Sequence, residues 1–297
     1  MELDANRLIR SLAGVIVSAS LVAGCTSSAG VGTPAPNNGG TGGASGGSTD
    51  ESSFYLRAWQ SQALAPQYTF GWLPTVTIAN ETYIDGMVAV PAISPGPIYT
   101  ALQVRPISAA GIDAVVAEAR ADGLLDGKTD FSQGSMPGSI TVHVSLTVGH
   151  VAYELTGSAG SAGTDSGTGA VSPGTPAAFQ AFLAKISGLD TWLGADLGTS
   201  SPYVPDRLAV MATPPTDAPG GIVPQQVTWP LAATFATFGS PMGTGGVRCA
   251  TVSGSDVATL LPAVQAANQL TQFVDSTGAK ATLSVRVLVP GEMRLCS

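Results

Sequence analysis

Residues 108–119 read SAAGIDAVVAEA and residues 253–264 read SGSDVATLLPAV, and the two stretches coincide at one constant offset. Each opens on a serine where a helix N-cap belongs, with a side-chain oxygen that can accept from an unpaired N–H of the first turn. Apolar residues then recur at i, i+3, i+4 and i+7 from Ile112 or Val257, the spacing that lays one apolar stripe along a helix. Two amphipathic helices are expected, each with a single buried side. Ser253 with Asp256 approximates a capping box. The first helix should stop at Gly123, and the second should run to about Leu270, kinked where Pro262 removes a backbone bond.

Each helix leads into a strand of matching alternation, ITVHVSL at 140–146 and LSVRVLV at 283–289. Val148-Gly149-His150-Val151 reads as a tight turn into a strand over 152–155, which completes a hairpin. Helix followed by strand thus occurs twice, which allows two related halves, 54–157 and 174–297, joined by a Gly/Ser/Thr-rich loop over 157–173. Further strands are expected over 54–60, 67–79, 82–90, 207–212 and 225–238, with Asn80-Glu81 as a turn and PAISPGP, 91–97, as a loop. Residues 176–193 suit a third helix, with Pro176 in its first turn and Phe179, Phe182, Leu183 and Ile186 on one side. The fold class is α+β: antiparallel sheet, in one or more pieces, covered by about three helices.

The N-terminal segment reads differently. Arg7 and Arg10 precede an apolar run of about a dozen residues, too short for a bilayer crossing of ~20 and suited to the core of an export signal. Val22-Ala23-Gly24-Cys25 resembles the lipobox of bacterial prolipoproteins. That resemblance implies cleavage before Cys25 and a diacylglyceryl group on its thiol. The expected plan is a signal peptide over 1–24, a lipidated Cys25 with a tether over 25–53, and a globular α+β domain over 54–297. The tether is nearly all Gly, Ser, Thr, Ala, Pro and Asn, with nothing large enough to offset the entropy of ordering it. As a flexible coil it would hold the folded part roughly 30 Å from the lipid surface. A Gly43-to-Gly47 match to a serine nucleophile elbow falls inside it, without the flanking strand and helix that such a turn needs.

With Cys25 carrying lipid, Cys249 and Cys296 remain as a pair, for which a disulfide is the default in an exported chain. Closing that loop would stabilise the fold by about 4 kcal/mol in the chain-entropy model. The stretches RCATVSGSD (248–256), LLPA (260–263), ANQLT (267–271) and LSVRVL (283–288), with LQVR (102–105) ahead of the Ser108 helix, resemble uncharacterised exported lipoproteins of actinobacteria. The resemblance implies an exported α+β protein and supplies no catalytic residues.

Composition narrows the function further. Charged residues are 11% of the chain, against about 25% in typical soluble proteins, so the surface must be rich in uncharged polar groups. A net charge of −8 with scattered Lys and Arg offers no basic face to neutralise phosphates, so no nucleic-acid partner is expected. Two histidines are present, His143 on a strand and His150 at a turn, and both suit surface or turn positions. Asp122, Asp126 and Asp130 could be imagined around calcium, but their spacing is not that of an EF-hand and Lys128 offsets one charge. Trp72 and Trp229 could be ligand-stacking aromatics, but large aromatics beside strands are more often core, and core is the expected place for both. No phosphate loop, dinucleotide fingerprint or zinc-protease motif occurs, and no catalytic residue, metal or cofactor is expected. These readings favour a non-catalytic envelope lipoprotein on the outer membrane face, held by its lipid, that binds another protein or a wall polymer. The alternatives are an apolar-ligand carrier and a secreted hydrolase.

Overall fold

A computed structural model of the chain describes residues 54–62, 64, 69–87, 94–132, 139–159, 171–215, 222–243, 245–292 and 295–296. The expected signal peptide, Cys25 and the tether lie outside them. One sheet is built from β1 (Tyr55–Ser61), β2 (Val76–Ala79), β3 (Thr82–Asp85), β4 (Gln103–Pro106), β5 (Asp130–Phe131), β6 (Thr141–Val148), β7 (Val151–Ser158) and β8 (Ser201–Pro202). Its spatial order is β5-β7-β6-β1-β2-β3-β4-β8. The second comprises β9 (Arg207–Thr213), β10 (Gln226–Thr228), β11 (Ser240–Pro241), β12 (Arg248–Ser253), β13 (Gln272–Val274) and β14 (Lys280–Val287), in the order β10-β13-β14-β9-β12-β11.

Alternation along β1 decides the layering of the first sheet. Leu56 and Ala58 point inward opposite Leu146 and Val144 of β6, while Tyr55, Arg57, Trp59 and Ser61 share the other face. Against the inner face pack Val115 and Ala119 of α1 (Ala109–Ala121) and Phe179, Phe182 and Ile186 of α2 (Pro176–Ser187). Ser108 caps α1 as its position requires: its Oγ accepts from Gly111 N at 3.0 Å and donates to Asp196 Oδ1 at 2.7 Å. Thr175 caps α2 in the same way, with Pro176 following it. Asn80 and Glu81 both take positive φ, 51° and 57°, which suits the tight β2–β3 hairpin.

The second sheet is covered on both sides. Leu208, Val210, Val285 and Val287 face Val257, Leu260 and Val264 of α4 (Ser255–Gln265), with Trp229, Phe235 and Phe238 in the same cluster. Ala209, Met211 and Cys249 face the opposite way, against Phe70 and Leu288. Asp275 staples the Trp229 loop to the sheet, its Oδ2 accepting from Phe235 N at 2.8 Å and its Oδ1 from Thr277 N and Ala279 N.

The class is mixed α+β and dominated by sheet. Several expectations change in detail. Neither sheet is wholly antiparallel, because β5 runs parallel to β7 and β10 parallel to β13. The third expected helix is two: α2 ends at Gly188 and the short α3 (Leu189–Leu193) follows, so the described helices do not form a simple cover of three. The change of sheet falls between β8 and β9, near residues 203–206, and α2 and α3 pack on the first sheet. Residues 174–297 are therefore not the unit that the second sheet occupies. Ser253 ends β12 and does not cap α4; Gly254 takes the cap position at φ +60°, a backbone turn open to glycine that passes strand directly into helix. That helix ends at Gln265, three residues beyond Pro262, where Asn268 forms a side-chain turn with Leu270 N and Thr271. The strand expected over 67–79 is confined to β2, and that over 225–238 to β10, because Trp229 leaves the edge to bury its ring and donate Nε1–H to Ala233 O at 2.7 Å. Residues 88–93 and 160–170, from the expected 82–90 strand, the 91–97 loop and the 157–173 loop, lie outside the described residues.

Ser108→Ala removes both the cap and the tie to Asp196. Urea unfolding should show a loss of about 1 to 2 kcal/mol, whereas a change within a few tenths would show that the cap is dispensable.

Candidate functional site

The outer face of β1 is the place to look, because apolar packing alone does not explain it. Trp59 stands opposite His143 of β6, and their rings stack at 5.0 Å with 14° between planes. The Arg57 guanidinium lies 4.2 Å from the centre of the same indole. Ser61, two residues on, shares a 2.7 Å hydrogen bond with His143 Nε2. Burial holds the His143 imidazole below its ordinary value of 6.5, against the opposing pull of Glu154, which favours the neutral ring. Glu154 is itself taken by Ser145, which donates to it at 2.6 Å.

Facing this row is a strap formed by residues 288–292, continuous with β14. Tyr55 Oη donates to Pro290 O at 3.2 Å and Arg57 Nη1 to Gly291 O at 2.9 Å. Gly291 sits at φ +75°, and a Cβ there would fall 2.2 Å from the Tyr55 hydroxyl, so only glycine permits the approach. Glu292 turns back beneath the strap: its carboxylate pairs with Arg286 and also accepts from Val289 N at 3.0 Å. Both side chains are more than nine-tenths buried. Burial lowers the Arg286 value while Glu292 opposes it, and the guanidinium remains charged. Farther along, Cys296 is bonded to Cys249 of β12, with Cα atoms 5.2 Å apart.

Between the β1 row, the 69–72 segment and Leu295, which lies beyond the strap, is a hollow of about 170 Å³, walled by Trp59, Phe70, Trp72, Met242 and Leu295 and edged by Gln60, Ser61, Gln62 and Thr69, with Arg286 also in its lining. A second hollow of about 300 Å³ shares Phe70 and continues along β14 past Thr282 and Ser284, with Thr100 and Gln269 opposite. Phe70 lines both hollows, which together make up the cleft.

The residues singled out from sequence separate accordingly. Cys249 and Cys296 pair, whereas Cys25 lies outside the described residues. His143 is half-buried and joined to the cleft through Ser61, and His150 sits exposed in the β6–β7 turn. Trp229 is core, 5% exposed, while Trp72 lines the cleft. Asp122, Asp126 and Asp130 do not converge: Asp130 accepts from Ser132 N, and Lys128 donates to Gly174 O. Among the described residues no group of three or more His, Cys, Asp or Glu side chains could hold a metal, and no helix is long and apolar enough to cross a membrane. Sequence reasoning missed Trp59, Phe70, Arg286 and Glu292. The available signal was Arg286 itself, a charge set among valines and leucines in LSVRVLV.

The chain matches no protein-family model, no curated protein and no solved structure.

Glu292→Gln strands Arg286 as a buried charge, and denaturant unfolding should show a loss of about 3 to 5 kcal/mol. A loss below about 1 kcal/mol would mean that the pair is solvated. For His143 the folded value lies below the unfolded one, so its contribution to stability is complete above 6.5 and fades as pH falls toward the folded value. A midpoint below 6.5 in an NMR titration is expected, and a midpoint above it would contradict the buried, neutral ring.

Proposed function

We propose that this chain is a lipid-anchored cell-envelope protein, tethered through Cys25 on the outer membrane face, whose globular part binds a partner or ligand in the cleft and performs no reaction. The cleft carries this reading. Its walls are aromatic and its edges are hydroxyls and side-chain amides, a lining that suits recognition. The one charged lining group among the described residues, Arg286, is already matched by Glu292. Resemblance of the N-terminal segment to a prolipoprotein signal, and of the body to exported actinobacterial lipoproteins, supports the location.

A second reading, hydrolysis, has one specific observation in its favour. Ser61 and His143 are within hydrogen-bonding distance, and burial favours the neutral imidazole, as a serine nucleophile and its base would require. Against it, Glu154, two residues along β7 from Thr156, the register partner of His143, is engaged by Ser145 and does not orient the histidine.

Treatment of the membrane-extracted full chain with a fluorophosphonate probe separates the readings. No adduct at Ser61 is expected, and Cys25→Ala should move the protein out of the membrane fraction. An adduct at Ser61 that disappears in His143→Ala would replace binding with hydrolysis. Retention of Cys25→Ala in the membrane would remove the lipid anchor from the account.

A further inference from the structure

We infer that the cleft takes an uncharged carbohydrate, with one sugar ring lying on Trp72 and its neighbours running past Phe70 along β14. The inference rests on the reading of the cleft as a binding site and names the ligand class.

Trp72 is the first reason. Its side chain is half-buried in the cleft wall, and among the described residues its ring enters no stacking or cation–π pair. Trp59 beside it is already occupied by His143 and Arg57. An apolar ring surface with a polar rim matches a pyranose, which presents C–H groups on a face and hydroxyls around its edge. Gln60 and Ser61 lie at that rim in the first hollow, and Thr100, Thr282 and Ser284 in the second. Such groups both donate and accept, as hydroxyls of a sugar demand.

Charge is the second reason. Arg286, the one charged group of the lining among the described residues, is compensated by Glu292, and Arg57 lies outside the lining, turned along Trp59 with one nitrogen on Gly291 O. An acidic polymer would find no uncompensated cation in the lining, and a cationic ligand would find no carboxylate there. Shape is the third. Two hollows, of about 170 Å³ and 300 Å³, have Phe70 in both their walls, which offers more than one place for the rings of a chain.

The test uses the full chain in a detergent without a sugar headgroup, titrated with a β-1,4-linked N-acetylglucosamine pentamer and with maltopentaose. Tryptophan fluorescence and calorimetry report binding. Saturable binding of at least one of the two is expected. Trp72→Ala should weaken it about tenfold or more, as loss of an aromatic anchor does, with Trp72→Phe recovering part of it. Gln60→Ala, at an exposed rim position, should weaken it less without disturbing the fold. Polygalacturonate and decanoate serve as acidic and apolar probes. If one of these binds in a Trp72-dependent manner and neither neutral oligosaccharide does, the carbohydrate inference is overturned and the cleft remains a binding site. If nothing binds, or binding is indifferent to both Trp72→Ala and Gln60→Ala, the inference and the reading of the cleft fall together.

Discussion

The buried pair between Arg286 and Glu292 is the constraint from which the rest of the cleft follows. A guanidinium on the covered face of β14 can be tolerated only if a carboxylate comes to it, because an unmatched charge at that depth costs several kcal/mol. Glu292 reaches it because the chain turns sharply after β14, with Glu292 N returning to Val289 O at 3.2 Å and the carboxylate also holding Val289 N. That turn presents the carbonyls of Pro290 and Gly291 to Tyr55 and Arg57. One ion pair on the second sheet thereby fixes hydrogen bonds to the first. The disulfide from Cys296 to Cys249 holds the same segment at its far end and puts Leu295 in the cleft wall.

A surface with few charges makes such an arrangement consequential. Hydroxyls, amides and aromatic rings must do most of the recognition, and they do so over short distances. The aromatic row on β1 is stiffened by stacking and by the Ser61–His143 hydrogen bond, and Phe70 is anchored beneath it at 5% exposure. Pre-organised side chains of this kind lose little freedom when a ligand arrives.

Local pattern made the elements legible and left their assembly hidden. The Ser108 cap, the apolar stripe of α1, the Asn80-Glu81 turn and the Cys249–Cys296 pairing all follow from neighbours in sequence or from elimination among three cysteines. Membership of a sheet does not. Residues 176–193 carry a sound helical pattern, but nothing in that pattern says which sheet they cover, and Phe179 and Phe182 turn out to fill the first. The cleft was obscured for a similar reason: Trp59, Trp72 and Arg286 are separated by more than two hundred residues at their extremes and meet only in the folded chain. Trp229 shows the opposite case, an aromatic beside a strand whose neighbours, Phe235 and Phe238, mark it as core once the loop is seen to fold back.

The most direct measurement is amide hydrogen exchange of the full chain with the Cys249–Cys296 bond intact and after reduction. Because the strap ties both sheets through Glu292, Gly291 and the disulfide, faster exchange is expected in β1 and the 69–72 segment as well as in residues 288–296. Acceleration confined to the last few residues would contradict the account, since the cleft would then keep its shape without the strap.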